Sequence, residues 1–214
     1  MKNKNAWVFR PLLIILLVVG FSGSNALAGI LKKGDKTFLV DQTGYRWDIT
    51  QAVSIGFDPK KFEFGIGKNA FNPLEEGDFK LDSKKNHPKM RVIGVAGEGD
   101  AHAYAVDKLW RHETANTFLG SIPIVAGYWP LVNLAAVYSR EIDGKTLSLA
   151  PSGWTYKRTF VLYDKETETL WYPKKGGLMG IQGVYFKRVL PKMKSKDTHW
   201  AKWKKKHPLT KLMK

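Results

Sequence analysis

Residues 109–133 read LWRHETANTFLGSIPIVAGYWPLVN, and the rest of the chain is organised around this stretch. Its first part holds three polar residues, His112, Glu113 and Asn116, within little more than one helical turn. A glycine then interrupts the pattern, and an apolar strand follows that ends at Trp129. Polar side chains on a short helix that leads into a buried strand are suited to the floor of a pocket, so the search for a site starts here.

The expected helix spans residues 107–117, and its first residue, an aspartate, can cap the first turn. Within it His112 and Asn116 lie four positions apart on one face, and Glu113 lies on a neighbouring face. In a pocket, His112 would donate or accept a hydrogen bond near neutral pH. Glu113 would fix the tautomer of that imidazole, or it would pair with Arg111 or with a ligand cation.

The candidate binding site combines this helix with the end of the following strand and with one turn later in the chain. Its residues are His112, Glu113, Asn116, Tyr128, Asn133 and Ser152. A metal site is an alternative, because the strand that carries His102 leads into the helix and would bring that imidazole near His112 and Glu113. A zinc-protease motif is excluded, since it requires a second histidine four positions after the first, where this chain has asparagine. No cofactor is predicted.

Short apolar stretches separated by turn residues fill most of the second half of the chain. Asp143 and Gly144 separate two of them and predict a two-residue hairpin, because a type I′ turn needs positive φ at both central residues. Residues 159–163 and 169–172 predict a second hairpin, and residues 184–190 predict the last strand. Together these strands predict an α+β fold that is predominantly antiparallel β. A meander would form a sandwich or a partly open barrel, with one short central helix and a C-terminal helix.

Composition divides the chain into four parts. They are a signal peptide at residues 1–28, an N-terminal extension packed on the core at 29–90, a β-rich core domain at 91–190, and a basic C-terminal helix or tail at 191–214. Residues 37–40 of the extension predict a short strand. Between residues 62 and 79 the extension sets phenylalanines among glycines and a proline. This composition is typical of a long loop that buried rings hold against the body of a domain.

The first part of the chain has the organisation of an export signal. Lys2, Lys4 and Arg10 are positive, residues 11–20 are apolar, and Ala28 ends a small-x-small cleavage site. The apolar run is shorter than the ~20 residues that span a bilayer, so we expect cleavage after Ala28 and no retained membrane anchor. The mature protein is therefore expected to be periplasmic or secreted.

The chain has no cysteine and a formal net charge of +16. The lack of cysteine excludes structural disulfides, thiolate metal sites and cysteine nucleophiles. A strongly basic balance favours contact with anionic surfaces such as lipid headgroups or acidic polysaccharide, and export argues against nucleic acid. The expected partner is therefore a small molecule or an envelope component, with the lysine-rich C-terminus facing an anionic surface.

The C-terminal tail predicts one short helix that places Trp200 and Trp203 on one face, among lysines. Two interpretations of this face remain open. The tryptophans could insert into a membrane interface, or they could pack on the sheet and leave the lysines in solvent. The second interpretation is preferred, because so short a helix offers little apolar area to a membrane.

Several short blocks after Phe64 are informative when they are taken together. They are Val92–Val95, Ala101–Ala105, Leu109–Glu113 with Asn116, Tyr138–Gly144, Ser152–Gly153, Leu162–Lys165 with Thr169–Trp171, and Trp200–Trp203 with His207–Pro208. In this order and spacing the blocks resemble the family known as domain of unknown function 3179, over most of the mature chain. The resemblance implies no particular activity, because the function of that family is itself unknown.

The chain departs from the most chemically suggestive motif of that family, Tyr-Cys-Pro-Leu-Cys-Gly. The matching residues are Tyr128, Trp129, Pro130, Leu131, Val132 and Asn133, so both cysteines are replaced. If the cysteine pair of the family binds a metal or cycles between thiol and disulfide, this chain cannot do so. The sequence is therefore identified as a divergent member that lacks the paired cysteines.

Three functions stay open at this point. The first is an exported module that binds a ligand or serves as a scaffold, with a pocket around His112 and Glu113. The second is a metal-dependent or other enzyme that uses the same residues, and the third is an envelope-associated structural protein with a basic tail. Aromatic residues could line a sugar-binding groove, although most of them are expected in the core. They are Tyr128, Trp129, Trp154, Tyr156, Trp171 and Tyr172.

Overall fold

The computed structural model describes residues 28–78, 87–97 and 99–213. The predicted signal peptide, except for Ala28, lies outside these residues, and so does Phe79 of the extension. None of the helices in these described ranges is long and apolar enough to cross a membrane.

Strands form most of the regular structure of the described chain. In chain order they are β1 (Gly29–Lys33), β2 (Lys36–Val40), β3 (Arg46–Asp48), β4 (Phe62–Phe64), β5 (Leu74–Glu75), β6 (Arg91–Gly97), β7 (Asp100–Ala105), β8 (Thr114–Leu119), β9 (Ile122–Trp129), β10 (Leu134–Ser139), β11 (Glu141–Ile142), β12 (Lys145–Thr146), β13 (Leu149–Tyr156), β14 (Thr159–Asp164), β15 (Leu170–Lys174), β16 (Gly177–Gln182), β17 (Val189–Met193), β18 (Ser195–His199) and β19 (Lys211–Met213). The α-helices are α1 (Thr50–Ser54), α2 (Val106–Leu109) and α3 (Trp200–Lys206). Short 3₁₀ turns lie at Pro59–Lys61, Glu76–Asp78 and Pro130–Val132.

The main sheet has ten strands in the spatial order β4-β13-β14-β15-β16-β17-β10-β9-β8-β5. It joins two antiparallel meanders, β8 to β10 and β13 to β17, which meet where β10 pairs with β17. The sheet curls into a half-barrel, so its two meanders face each other around a shared core. The predicted α+β fold, predominantly antiparallel β, is confirmed.

Three smaller sheets complete the fold. The strands β1, β2 and β3 form one sheet, β18, β6, β7 and β19 form the second, and the short hairpin β11–β12 is the third. The hairpin turn has φ of +51° at Asp143 and +72° at Gly144. Both values are positive, as the predicted type I′ turn requires.

The N-terminal sheet packs against the part of the main sheet that contains β13 to β16. Leu39, Trp47 and Ile49 are buried together with Tyr163 and Ile181 of the main sheet. The rings of Trp47 and Tyr163 meet edge to face, with their centres 5.3 Å apart. Burial of large rings is the main stabilising contribution at this junction.

The C-terminal helix α3 packs its tryptophans on the second sheet. Trp200 and Trp203 are buried, whereas Lys205 and Lys206 are exposed. The ring of Trp203 lies directly on Gly94 of β6, where a Cβ atom would be only 2.4 Å from the indole. This arrangement is the one preferred from the sequence, and it leaves no apolar face of α3 for a membrane interface.

The predicted helix at residues 107–117 is wrong beyond its first turn. Helix α2 ends at Leu109, and the residues from Thr114 onward form β8. The cause is a two-residue turn at Gly120 and Ser121, which pairs Leu119 with Ile122 and so continues β8 into β9. Gly120 has φ of +59°, a conformation that suits tight hairpins. His112 and Asn116 therefore do not share a helix face.

The predicted last strand at residues 184–190 is also wrong for most of its length. Much of this stretch is a turn, in which Lys187 has φ of +64°, and β16 and β17 lie on either side of it. The sequence conceals β16 because two of its six residues are glycines. Gly180 is needed there, since a Cβ atom at this position would lie 2.1 Å from the carbonyl oxygen of Tyr185.

Candidate functional site

An apolar pocket of about 290 Å³ opens between the turn after α2, the end of β9 and the middle of β13. Its described lining is mainly apolar, with five aromatic rings and one carboxyl group. The lining residues are Phe64, Ile66, Phe71, Trp110, Glu113, Trp129, Pro130, Leu131, Gly153, Trp154 and Thr155. Small-molecule sites typically measure roughly 300–1,000 Å³, so this cavity suits a compact ligand. It is called the Glu113 pocket below.

Glu113 lies in the turn that ends α2 and leads into β8. Its backbone N–H donates to the carbonyl oxygen of Leu109 at 2.7 Å, which closes the last helical turn. Its φ is +62°, in the left-handed region where helices usually end on glycine or asparagine. A non-glycine residue in this region bears strain on the order of 1 kcal/mol, and such residues are concentrated at functional sites. The strained turn directs the glutamate side chain inward.

The carboxyl group of Glu113 is isolated in an apolar environment. Glu113 is 4% exposed, and burial alone raises the pKa of its carboxyl group to about 8. No side chain of the described chain forms an ion pair or a hydrogen bond with this carboxyl group. At neutral pH the group is therefore mainly protonated, and it would ionise when a ligand supplies a positive charge.

Glycines allow the segment after β4 to lie directly on β13 and so to form one wall of the pocket. The N–H of Ile66 donates to the carbonyl oxygen of Gly153 at 3.2 Å. A Cβ atom at Gly153 would lie 2.6 Å from the carbonyl oxygen of Gly67. A Cβ atom at Gly65 would lie 2.5 Å from the ring of Trp154. Larger residues at these positions would push this wall away from the sheet.

Trp154 adds a second polar group without a partner. Its Nε1 atom is buried and has no hydrogen-bond acceptor among the described residues. The indole of Trp129 differs, because its Nε1 donates to the carbonyl oxygen of Arg158 at 2.6 Å. A buried donor without a partner costs about 1–3 kcal/mol. The lining of the pocket thus includes a carboxyl group and an indole that lack partners within the described chain.

His112 lies outside the Glu113 pocket. Its Nδ1 donates to the carbonyl oxygen of Asn72 at 2.8 Å, and its ring is only half-buried. It faces a shallow depression whose lining includes Asp107 and Arg111. The left-handed turn therefore separates the two side chains, placing the imidazole at the surface and the carboxyl group of Glu113 inside.

Asn116 and Ser152 have structural roles inside the sheet. Asn116 Nδ2 donates to the carbonyl oxygen of Leu149 at 3.1 Å, and the N–H of Leu149 donates to Asn116 Oδ1 at 3.0 Å. Ser152 Oγ donates to the carbonyl oxygen of Val161 at 2.6 Å and accepts from the N–H of Trp154 at 3.2 Å. Asn116 thus links β8 to β13 across the curled sheet. Neither side chain lines the Glu113 pocket.

Tyr128 and Asn133 belong to a neighbouring cluster. The hydroxyl of Tyr128 donates to Asn133 Oδ1 at 3.3 Å and accepts from Arg91 Nη1 at the same distance. Arg91 also pairs with Asp197 of β18. A separate depression is lined by Arg91, Trp110 and Tyr128 among others. Trp110 lines both this second depression and the Glu113 pocket, and its ring centre is 6.3 Å from that of Tyr128. The six predicted binding residues are therefore divided among several locations.

The alternative metal set of His102, His112 and Glu113 is not assembled. His102 is buried in β7, where Nε2 lies 3.1 Å from Asp100 Oδ2 and Nδ1 lies 3.3 Å from the Tyr104 hydroxyl. Because the turn after α2 sends one side chain outward and the other inward, the three groups face different surroundings. Within residues 28–78, 87–97 and 99–213, no three or more His, Asp or Glu side chains are placed to hold a metal ion.

Comparison with known proteins identifies the family of the chain. One family profile, described as a protein of unknown function (DUF3179), matches residues 66–214. The chain belongs to DUF3179. No curated protein and no solved structure matches it. The matched region of this DUF3179 protein includes every residue that lines the Glu113 pocket except Phe64.

The absence of cysteine from this DUF3179 protein affects the pocket directly. By the resemblance described above, Trp129 and Val132 stand where the family motif has its two cysteines. Trp129 lines the Glu113 pocket, and Val132 is 44% exposed next to the lining residue Leu131. The substitution of a bulky ring for a small thiol therefore changes the wall beside Glu113.

Sequence reasoning missed part of the lining, because the signal that marks it is present only in the structure. Of the aromatic residues considered for a groove, Trp129 and Trp154 line the pocket, whereas Tyr156 and Trp171 are in the core. The lining residue Phe64 and its neighbours were treated as loop anchors. Their exposure was the missing signal, because an apolar residue that stays exposed near other apolar residues marks a binding surface.

Proposed function

We propose that this DUF3179 protein is a ligand-binding module and that its ligand occupies the Glu113 pocket. The observation that carries the proposal is a buried carboxyl group, without a partner in the described chain, in the lining of an open apolar pocket. Four lining residues are also large, apolar and exposed. They are Phe64, Ile66, Trp110 and Leu131. A contiguous apolar patch around a cavity is typical of a surface that a ligand covers.

An enzymatic role of the same pocket is the second candidate. Its support is the raised pKa of Glu113, because a carboxyl group with a pKa near 8 can exchange protons at physiological pH. A general acid or base acts on a bound substrate, and further polar groups are needed to position that substrate or to stabilise its developing charge. The hydroxyl of Thr155 is the other reactive lining group, and it already lies 3.5 Å from Glu63 Oε2. Binding is therefore the better supported role.

The Trp110→Ala variant tests ligand binding. Trp110 is 58% exposed, so its removal is expected to leave the fold intact. Loss of this ring is expected to weaken the binding of a neutral aromatic probe, 2-naphthol, by roughly tenfold in calorimetric titration, since about 1.4 kcal/mol corresponds to a factor of ten. The matched control is Leu209→Ala, which removes an apolar side chain that is 94% exposed and does not line the pocket. Equal affinities of the two variants would contradict the proposal.

We also propose that the protein is exported and that its signal sequence is cleaved after Ala28. The support is the charged, apolar and small-residue order of the first residues. The exposed lysines of α3 would then face anionic components of the envelope. The mass of the protein recovered from the exported fraction is expected to correspond to a chain that begins at Gly29. A mass that includes the first residues would contradict cleavage.

A further inference from the structure

The lining of the Glu113 pocket has a charge pattern that contrasts with the rest of the chain. The sequence contains 35 lysine and arginine residues, and none of those that the structure describes is among the residues that line this pocket. Within the described part of the chain, Glu113 is the one ionisable residue of that lining. A second carboxylate, that of Glu63, lies beside the lining residue Thr155, at 3.5 Å from its Oγ1. In a strongly basic protein, the ionisable groups at this pocket are therefore acidic.

Acidic groups favour a cationic ligand, and the aromatic rings of the lining favour a cation too. They belong to Phe64, Phe71, Trp110, Trp129 and Trp154. The face of an aromatic ring carries negative partial charge and attracts a cation that lies within about 6 Å of its centre. The rings also offer apolar surface on which alkyl groups can be buried. An ammonium group with alkyl substituents satisfies both properties of the lining.

A second location in the same protein shows how a carboxylate and aromatic rings hold an ammonium group. Lys68 Nζ lies 4.5 Å from the ring centre of Tyr45 and 5.3 Å from that of Tyr163, and it pairs with Glu168. The hydrogen bond from Lys68 holds the pKa of Glu168 below its ordinary value. At Glu113 the rings and the carboxyl group are again present. There, no side chain of the described chain supplies the cation.

We propose that the Glu113 pocket binds the alkylated ammonium group, quaternary or tertiary, of a small molecule. This proposal rests on the ligand-binding function proposed above and adds the chemical class of the ligand. An unsubstituted ammonium group is strongly hydrated and is costly to bury, whereas alkyl groups replace that hydration with contacts to the rings. A bound cation favours the ionised form of Glu113, so binding below pH 8 releases a proton.

Choline and its neutral isostere, 3,3-dimethyl-1-butanol, separate charge from shape. Both are titrated calorimetrically into the mature chain at about pH 6.5 and at about pH 8.5. Choline is expected to bind at least tenfold more tightly at the higher pH, because ionisation of Glu113 then no longer opposes binding. The isostere cannot neutralise the carboxylate, so it is expected to bind no more tightly at the higher pH. Choline titrations near pH 6.5 in buffers of different protonation enthalpy are expected to show release of up to about one proton.

Two matched variants test the carboxyl group. Glu113→Gln is expected to weaken choline binding at the higher pH at least tenfold, whereas it is not expected to weaken binding of the isostere. Glu168→Gln removes a carboxylate that is paired with Lys68 elsewhere in the protein, and it is expected to leave both ligands unaffected. The buffer comparison uses the wild type alone, so it tests the proposal even if a variant is poorly folded.

The outcomes distinguish this proposal from the function on which it rests. Choline affinity that does not change with pH, or that survives Glu113→Gln, would overturn the assignment of an ammonium ligand to this carboxyl group. If the isostere binds and choline does not, the pocket is a ligand site and the cationic class is wrong. If neither compound nor 2-naphthol binds, both the class and the ligand-binding function are wrong.

Discussion

Replacing Arg140 by methionine is expected to lower the free energy of unfolding by about 3 kcal/mol or more. Arg140 is 5% exposed, and its guanidinium donates to the backbone carbonyl oxygens of Thr117, Ile124 and Leu147 at 2.9 to 3.3 Å. A hydrogen bond from a charged group contributes about 1.5–3 kcal/mol. Methionine keeps much of the length and apolar contact of the side chain, so the loss reports mainly on these hydrogen bonds.

The matched control is Arg188→Met at the surface. Arg188 forms two hydrogen bonds with Asp143, at 2.7 and 3.2 Å, and its side chain is 53% exposed. Exposed ion pairs contribute about 0–1 kcal/mol, so this variant is expected to unfold nearly as the wild type does. Urea unfolding followed by circular dichroism compares the two. If Arg140→Met lowered the free energy of unfolding as little as Arg188→Met does, the buried guanidinium would not hold the strands β8 and β9 in place.

The Glu113→Gln variant is expected to be more stable than the wild type at neutral and mildly alkaline pH. The folded pKa of Glu113 is about 8 and its ordinary value is 4.5, so the unfolded chain ionises first. Stability from this group is therefore fully present below about pH 4.5 and is lost as the pH rises toward 8. Glutamine removes this loss, which is roughly 4 kcal/mol at about pH 7.5, because about 1.4 kcal/mol is lost for each of the three pH units above 4.5.

Thermal unfolding from about pH 6 to about pH 8 measures the difference between the variant and the wild type. Burial lowers the pKa of His102, so the stability that this residue contributes is lost as the pH falls. Because this loss is common to both proteins, it cancels in the difference between them. Glu168→Gln is the control. Lys68 holds the pKa of Glu168 below its ordinary value, so that variant is expected to lose the same stability throughout this range. Parallel profiles of Glu113→Gln and the wild type would contradict an ionisable, isolated carboxyl group.

The parts of the fold that local sequence determines were predicted. Asp143 and Gly144 form their hairpin because positive φ at both positions is a local property. The C-terminal helix was predicted because the spacing of Trp200 and Trp203 matches the helical period. The strand β8 was missed, because its polar residues resemble a helix turn until the pairing with β9 is known. Tertiary pairing therefore decided the structure where local patterns were ambiguous.

The candidate site was predicted less well for the same reason. Glu113 and Asn116 were assigned to one helix, whereas the left-handed turn and the strand send Glu113 toward the pocket and Asn116 toward Leu149. The remaining walls come from segments far apart in sequence, near Phe64 and near Trp154. The pairing of β4 with β13 joins these two segments, and the curling of the main sheet brings them opposite the turn after α2 and the end of β9. No spacing rule along the chain contains that information.

The exposure of Trp110 makes the protein its own optical reporter. Among the tryptophans that the structure describes, Trp110 is the exposed one at 58%, and the others are at most 8% exposed. A neutral collisional quencher such as acrylamide would therefore reach mainly this indole, and the accessible part of the emission would come from the mouth of one cavity. A molecule seated there would shield it. Occupancy of the cavity could then be followed by intrinsic tryptophan fluorescence, without any label.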